Sequence, residues 1–520
     1  MKTTMKNKIF TLGLLLLILI GAMSCHEESD VVMSYANNDY LTFSEADSSF
    51  AGKYRVFWKA LNINYTLWDY EKQNGLDWDE HYATYLPEFE ALDKRATVTD
   101  EELKQLMEEM VAPLHDGHLM VEFKNHKTNK FVYASPGNIR NSVYEDFKLT
   151  EEFEPDLRHY KSSIVESADY NSTVYAQLRN AFWGEGTGVS WAKKRSNELA
   201  AIESPTESEA SEMAGLKNFL KEMEELKEEE NLTRMLKLYN NISLRYSYLN
   251  IPYLDPIDET FINQGIHIVY HLFSDGIAYL YIDGFALYPY LDETMYNKTF
   301  DASNSHTASI VRHVKEVWMA WFNAVQQLHK EKKLKGVIID VRNNGGGYAS
   351  DFKYVLGSMM EKGGFQIGWQ RYKRGLGRYD YSPLTPHIAS TLESDHEIIN
   401  DVPVVVLANM HSISMAEITS TAVKLMPNGK LIGTRTFGGL CALNDISTFS
   451  INYSGHIGVR NETPVYCYTP YLAFFDMDKK CHEGLGVEPD IRIDLDVNNF
   501  KKDGTDNQLE RALQYIRTGN

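Results

Sequence analysis

GVIIDVRNNGGG, at residues 336–347, is the stretch that decides the fold class. Its first part is a short apolar run, Val337–Val341, which predicts a buried strand, and three glycines follow. Further apolar runs predict strands at residues 266–270, 277–282 and 404–407, and helices are predicted at residues 309–333, 350–360 and 414–426. Buried strands that alternate with helices indicate an α/β domain.

The glycines at 345–347 suggest an anion-binding loop. Glycine lets successive backbone N–H groups turn toward one point, and in an acyl-transfer enzyme that point is an oxyanion hole. We predict its donors to be the N–H groups of Gly345, Gly346 and Met415. No Gly-Lys-Ser/Thr follows and GxGxxG spacing is absent, which disfavours nucleotide binding. A tight turn without catalytic function is the alternative.

A candidate nucleophile lies in NMHSISMAE, residues 409–417, between a predicted strand and a predicted helix. Ser414 and Glu417 have the spacing of a capping box, which places Ser414 at the helix N-terminus. The helix dipole favours negative charge that develops there. Ser412 is a rival nucleophile that local physics does not separate from Ser414.

A candidate base follows a predicted helix whose capping box starts at Thr99. His118, in LHDGHL at residues 114–119, has the near-neutral pKa that general-base catalysis needs, although a structural role is common for a single histidine. His115 is nearby, but no third ligand is evident, so neither a metal nor another cofactor is predicted. A carboxylate in CHEGLGVEPD, residues 481–490, could orient the base. A plain surface role for Glu483 or Glu488 is the alternative.

The N-terminus has the features of an export signal. Residues 1–25 combine early lysines, an apolar run too short for a comfortable membrane span, and small residues before Cys25. This pattern resembles a lipobox, in which Cys25 is lipidated and anchors the protein to a membrane. An ordinary cleaved signal with a chance cysteine is the alternative. We therefore expect an exported protein, in the outer membrane, and the acidic residues after Cys25 favour exposure at the cell surface.

The net charge and the cysteine content limit the kinds of partner and metal site that we expect. The formal net charge of −20 argues against nucleic acid as a partner. The remaining cysteines, Cys441, Cys467 and Cys481, include no CxxC pair, which disfavours a zinc site. One disulfide, with Cys467–Cys481 as the candidate pair, is compatible with an exported protein.

The predicted organisation has five segments. These are a signal peptide at 1–25, a tether at 26–45, a helical region at 46–125, a middle segment of unknown role at 126–262, and a catalytic core at 263–520. Within the middle segment, residues 204–230 are rich in Glu, Ser and Lys and predict a solvent-exposed helix.

Six motifs in one order resemble the C-terminal-processing, or tail-specific, serine peptidases, and most of all their tricorn-protease-like branch. They are the aromatic-rich start (Tyr54, Phe57, Trp58, Trp68, Trp78), LHDGHL at 114–119, GVIIDVRNNGGG at 336–347, PVVVLANMHSISMAEI at 403–418, LIGTRTFGG at 431–439 and EGLGVEPD at 483–490.

The resemblance implies an α/β fold with a crotonase/ClpP-like peptidase core, an N-terminal helical region and an extra middle segment. It also implies a serine peptidase that cleaves peptides or unfolded protein tails, with Ser414, rather than Ser412, as nucleophile. The dyad members of the family have a lysine after Thr-Phe-Gly, where this chain has Gly439, so the base is the tricorn-like His118. Gly117 replaces a serine that precedes this histidine in the tricorn-like pattern, which leaves Glu483 as the candidate orienting residue.

Two alternatives use the same scaffold. The first is a non-catalytic binding protein, which the missing lysine makes conceivable. The second is an esterase, which shares the nucleophile and base but acts on another substrate.

Overall fold

The computed structural model describes residues 49–160, 162–169, 178–180, 182–229, 232–254, 266–292, 305–375, 377–389, 391–392, 396–443 and 456–520. The predicted signal peptide 1–25, Cys25 and the tether 26–45 lie outside the described residues. The chain forms two compact units. The first unit comprises the described residues up to 144 with 366–387 and 437–486, and the second comprises 145–365, 388–436 and 487–520.

The strands are β1 (Met120–Asn125), β2 (Lys130–Ala134), β3 (Ser162–Asp169), β4 (His267–Phe273), β5 (Ile277–Ile282), β6 (Gly336–Asp340), β7 (Gln366–Tyr372), β8 (Thr385–Ile388), β9 (Val404–Ala408), β10 (Gly429–Gly433), β11 (His456–Ile457), β12 (Val465–Tyr468), β13 (Leu472–Phe475) and β14 (Ile491–Arg492). The helices are α1 (Phe50–Asn64), α2 (Trp68–Gln73), α3 (Trp78–Asp93), α4 (Asp100–Val111), α5 (Pro136–Asn141), α6 (Glu145–Leu149), α7 (Gly188–Ala200), α8 (Glu207–Leu226), α9 (Leu232–Arg245), α10 (Tyr288–Leu291), α11 (Ser305–Lys330), α12 (Phe352–Val355), α13 (Met415–Leu425), α14 (Val497–Asp503) and α15 (Asn507–Thr518).

The second unit is built on a seven-stranded sheet with the order β14-β10-β9-β6-β5-β4-β3. The strands from β14 to β5 run parallel, and β4 and β3 are added antiparallel to their neighbours. Every residue of β5, β6 and β9 is buried, which explains their continuous apolar sequences. Helix α11 packs against β3 and β4, while α15 packs against β9 and β10. The predicted α/β class is confirmed.

The first unit combines helices α1–α5 with two smaller sheets, ordered β11-β12-β1-β2 and β13-β7-β8. Its core is rich in buried aromatic side chains from the N-terminal helices, including Phe50, Tyr54, Phe57 and Trp68. The predicted capping box at Thr99 is present at the start of α4, and Glu102 closes it. The helical N-terminal region is therefore confirmed. Because both units are discontinuous in sequence, their boundaries differ from those of the predicted segments.

Two predicted helices differ from the observed ones. Residues 204–230 contain α8, which is not fully solvent-exposed because it buries Leu216, Phe219 and Met223 among neighbouring helices. The predicted helix at 350–360 is interrupted, with one turn of α12 between two 3₁₀ turns at Ala349–Asp351 and Gly357–Met359. The described helices include none with the length and apolar character that a membrane span requires.

Candidate active site

The loop of candidate oxyanion donors and the candidate nucleophile follow neighbouring strands. Strands β6 and β9 are parallel, with Val337 opposite Val404 and Asp340 opposite Leu407. The carboxyl ends of parallel neighbours meet at one edge of a sheet, which is where ligand sites form in open α/β sheets. The sheet thus places loops 341–347 and 409–414 side by side.

Ser414 occupies a strained turn between β9 and α13. Its backbone has φ 59° and ψ −115°, a region that residues with a side chain rarely adopt. Its N–H donates to Glu417 Oε2 at 3.2 Å, and the Glu417 N–H donates to the Ser414 carbonyl at 2.9 Å. This strand–turn–helix arrangement presents a half-exposed serine at a helix N-terminus, as in the nucleophile elbow of α/β-hydrolases.

Ser412, the rival nucleophile, has a different environment. Its side chain is fully buried, its hydroxyl donates to the Val341 carbonyl at 2.7 Å, and it accepts the Asn409 N–H at 3.0 Å. Because the buried Ser412 hydroxyl both donates and accepts a hydrogen bond within the protein, we assign it a structural role. The structure thereby distinguishes the two serines, which local sequence physics does not.

Asn344 holds the glycine loop against the serine turn. Its carbonyl accepts the Ile413 N–H at 2.9 Å, and its side chain donates to the Ile282 carbonyl at 2.9 Å. The Asn344 Oδ1 also accepts the Gly346 N–H at 2.8 Å. Gly346 was predicted to be an oxyanion donor, but its N–H already donates to Asn344. The prediction for Gly346 is therefore not met in this structure.

Gly346 allows the loop to approach Ser414 closely. A Cβ at Gly346 would lie 2.6 Å from the Ser414 Cβ and 3.1 Å from its Oγ, so a side chain there would displace the serine. Its φ of +89° also favours glycine. Over the part of the chain that the structure describes, the N–H groups of Gly345 and Met415 have no hydrogen-bond partner. These two N–H groups therefore stay available as donors, and the oxyanion hole remains a prediction.

Buried charged side chains stabilise the start of the glycine loop. Arg342 is completely buried and pairs with Asp340 and with Asp506, whose Oδ2 lies 2.7 Å from the guanidinium. Arg342 also donates a hydrogen bond to Gln508 Oε1 at 2.9 Å. Asp506 is also the N-cap of α15. The C-terminal helix thus anchors the residue that precedes the loop, a role that the sequence motif did not reveal.

His118 lies in a turn of the first unit that Asp116 organises. The Asp116 Oδ1 accepts the N–H groups of His118 at 2.8 Å and Leu119 at 3.1 Å, and Thr469 donates to its Oδ2 at 3.0 Å. Burial lowers the pKa of His118 to about 4 and raises the pKa of Asp116 to about 7. Near neutral pH the imidazole is therefore uncharged and able to accept a proton.

Glu483 lies beside this turn and is almost completely buried. Its Oε1 accepts the Gly117 N–H at 2.9 Å, and its Oε2 accepts the N–H groups of Leu440 and Cys441 at 2.9 Å each. Ligand atoms of Asp116, His118 and Glu483 all lie within 4.8 Å of one another. Within the described chain, the buried Nδ1 of His118 has no hydrogen-bond partner.

The same three side chains have the ligand types of a divalent-cation site, which the sequence spacing did not suggest. However, backbone N–H groups and Thr469 already donate to the carboxylate oxygens. The arrangement equally suits a histidine whose positive charge is stabilised by carboxylates.

His115 has its own carboxylate partner. Its Nδ1 lies 2.7 Å from Glu71 Oε2, its N–H donates to Glu71 Oε1 at 2.8 Å, and Tyr65 donates to the same oxygen at 2.6 Å. Glu71 is completely buried. No sequence pattern indicated this pairing, because Glu71 precedes His115 by 44 residues.

The strained serine and the N–H groups of Gly345 and Met415 belong to the second unit, whereas the neutral histidine and its neighbouring carboxylates belong to the first. The model of peptidase family S41 matches residues 277–493, which is less than half of the chain. The predicted peptidase family is supported over that stretch.

Individual relatives and structures are similar to this chain over different extents. The tricorn protease of Thermoplasma acidophilum is 26% identical over 206 residues, which cover 39% of this chain and 16% of the relative. The chain therefore matches only a small part of that protein. A Parabacteroides merdae protein described as a candidate peptidase has a TM-score of 0.47 at 18% identity, covering 91% of this chain and 98% of the other. Mature CPAF in complex with lactacystin has a TM-score of 0.45 at 11% identity, covering 92% of this chain and 100% of the other.

Proposed function

We propose that this protein is a serine peptidase with Ser414 as nucleophile and His118 as general base. The observation that carries the proposal is the strained backbone of Ser414 between β9 and α13. Strain of this kind costs of the order of 1–3 kcal/mol and persists at sites where function requires it. The match of the peptidase family S41 model to residues 277–493 supports the same chemistry.

His118 is the preferred base because its environment keeps it neutral near physiological pH. Ser414 and His118 belong to different units, so the pairing is argued from the chemistry of each half and from the family resemblance. Glu483 and Asp116 are the carboxylates that stabilise the imidazolium once His118 has accepted a proton. Their backbone donors keep both carboxylates in place.

The proposed reaction passes through an acyl-enzyme. His118 takes the proton from Ser414 Oγ as the oxygen attacks a peptide carbonyl, and the N–H groups of Gly345 and Met415 bind the oxyanion. His118 then gives that proton to the leaving amine, and the C–N bond breaks. Water attacks the ester with His118 again as base, which releases the acid and restores Ser414.

The proposed substrates are peptides or unfolded protein tails, as in the tricorn-like branch. Gly439 occupies the position of the lysine base of dyad members, which supports a histidine-dependent branch. The curated relatives named tricorn protease support the same assignment.

The proposed location is the outer membrane, with a lipid on Cys25 as the membrane anchor and the catalytic region exported, exposed at the cell surface. The signal-like residues 1–25 and the acidic residues after Cys25 support this location. Metabolic labelling with a palmitate analogue tests it. Label should appear on the wild type and disappear in Cys25→Ala, and label that persists in the variant would refute lipidation at Cys25.

A fluorophosphonate probe tests the nucleophile. The wild type and Ser412→Ala should each gain one adduct on Ser414, whereas Ser414→Ala should gain none and lose peptide turnover by about 10⁴- to 10⁶-fold. Ser412→Ala is the matched control, since it removes a buried hydroxyl two residues away and should lower thermal stability instead. An adduct on another residue, or full turnover by folded Ser414→Ala, would overturn the assignment.

A further inference from the structure

Three of the described helices, α4, α8 and α13, begin with a capping box, and the box of α13 differs from the other two. At Thr99 and Thr206, the cap residue is extended, with φ of −73° and −65°, and the closing glutamate is partly exposed. At Ser414 the cap residue has φ 59°, and the closing Glu417 is completely buried. Since an ordinary cap residue is extended, the box at Ser414 does more than begin a helix.

The three boxes also differ in the hydroxyl that donates to the closing glutamate. In α4 and α8 the cap threonine itself donates, at 2.9 and 2.8 Å. In α13 the donor comes from another segment, because the Thr436 hydroxyl donates to Glu417 Oε1 at 2.5 Å. The other carboxylate oxygen, Oε2, accepts the Ser414 N–H at 3.2 Å. Glu417 thus connects the backbone of the candidate nucleophile to Thr436.

Thr436 is itself fixed in orientation. It is completely buried, its Oγ1 accepts the Val487 N–H at 2.7 Å, and its own N–H donates to the Val487 carbonyl at 3.2 Å. Because an amide N–H only donates, the proton of the Thr436 hydroxyl is directed to the carboxylate. The chain leaves the second unit after Thr436 and re-enters it at Val487, so these contacts lie within that unit.

The segment that begins at Val487 is attached to the rest of the second unit. The Asp490 N–H donates to the Leu431 carbonyl at 2.9 Å, and Asp490 Oδ2 accepts the Leu431 N–H at 2.8 Å. Lys424, in α13, lies 3.4 Å from Asp490 Oδ1. The motifs LIGTRTFGG and EGLGVEPD therefore supply Thr436 and the segment that orients it.

We propose that Glu417 and Thr436 are positioning residues for the nucleophile, an inference that rests on the proposed function of Ser414. Thr436 supplies the hydroxyl that the cap residue supplies in α4 and α8. Glu417 can therefore hold the Ser414 N–H in its strained turn while the Ser414 O–H stays available to the base. Without the Thr436 hydroxyl, Ser414 Oγ becomes the donor to Glu417 and is lost as a nucleophile.

The rate at which a fluorophosphonate probe labels Ser414 tests this role. Thr436→Val removes the hydroxyl and keeps the shape of the side chain, and it should slow labelling about 10- to 100-fold. Thr436→Ala is a second hydroxyl-free variant and should show the same loss. Thr436→Ser retains the hydroxyl and should label within about threefold of the wild-type rate.

Thr419→Val is the matched control, because it makes the same substitution on α13. Thr419 is completely buried, and its hydroxyl has no hydrogen-bond partner among the described residues. This variant should label at the wild-type rate. Thermal melts by circular dichroism give the folded fraction of each variant, to which the rates are normalised. If Thr436 only stabilised the fold, the melting temperature would fall while folded protein labelled at an unchanged rate.

The labelled residue is identified by peptide mapping, because the described part of the chain also has three free thiols, Cys441, Cys467 and Cys481. These free thiols correct the predicted Cys467–Cys481 disulfide. Only adducts on Ser414 enter the measured rate, so reaction of the probe at a thiol does not alter the comparison.

The outcomes separate the positioning role from the proposed function. If folded Thr436→Val and Thr436→Ala labelled as fast as the wild type, the positioning role would be wrong and the proposed function would stand. Slow labelling of Thr436→Ser, equal to that of Thr436→Val, would also overturn the positioning role, since the hydroxyl is retained. A wild type that gains no adduct on Ser414 would overturn the proposed function and the positioning role together.

Discussion

The loops around Ser414 and the turn around His118 use backbone N–H groups in opposite ways. Near Ser414, the N–H groups of Gly345 and Met415 have no partner within the described ranges. Near His118, five N–H groups donate to the two buried carboxylates Asp116 and Glu483. In the proposed mechanism, the first region receives negative charge, and the second holds negative charge in place to stabilise a cation.

The largest effect should come from removing the base. His118→Ala should lower kcat/KM for a peptide by about 10⁴- to 10⁶-fold, because a serine hydroxyl needs a base to become nucleophilic. His115→Ala is the control, and it should change kcat/KM by less than about tenfold. A greater loss in His115→Ala than in His118→Ala would identify His115, which is paired with Glu71, as the base. The proposed role of the His118 region would then be wrong.

Neutralising Glu483, the proposed orienting carboxylate, should have the next largest effect. Glu483→Gln should lower kcat/KM by about 10²- to 10⁴-fold, since an amide does not stabilise the imidazolium and presents an NH₂ group toward backbone donors. Glu122 is a matched control in the same unit, buried and bonded to the Asn461 N–H at 2.7 Å. If Glu122→Gln caused an equal loss, the effect of Glu483 would be one of folding.

Adding one methyl group tests the glycine loop. Gly346→Ala should lower kcat about 10- to 100-fold, because its Cβ meets Ser414 and its φ is positive. Gly345→Ala should have little effect, since its Cβ would have no neighbour within 4 Å. Steady-state kinetics of the two variants provide the comparison, and equal kinetics would show that close approach to Ser414 is unimportant.

The smallest effect concerns pH. As the pH falls through about 7, Asp116 gains a proton and no longer stabilises the imidazolium. As the pH falls further through about 4, His118 is itself protonated and cannot act as a base. The wild-type profile of kcat/KM should therefore decline in two acid steps. Asp116→Asn should retain the step near 4 and lose the one near 7, whereas two unchanged steps would exclude Asp116 from the mechanism.

The difference between the two regions also explains what the sequence could reveal. The Ser414 region depends on local patterns: apolar runs for β6 and β9, three glycines, and the capping spacing to Glu417. These patterns predicted the strands, the helix and the loop. They could not distinguish Ser412 from Ser414, because burial and the contact with the Val341 carbonyl appear only in three dimensions.

The His118 region depends on distant contacts. Its turn brings Asp116 next to Thr469 and Gly117 next to Glu483, separations of 353 and 366 residues. No periodicity or spacing reports such contacts. Asp116 is part of the LHDGHL motif, yet only the three-dimensional structure reveals that it accepts the His118 N–H.

A crystal structure of the protein phosphonylated at Ser414 tests the central claim most directly. We predict that the phosphonyl oxygen accepts hydrogen bonds of about 2.7–3.1 Å from the N–H groups of Gly345 and Met415, with a His118 ring nitrogen within hydrogen-bond reach of Ser414 Oγ. An adduct whose oxygen points away from both N–H groups, with His118 remote from Ser414, would contradict it.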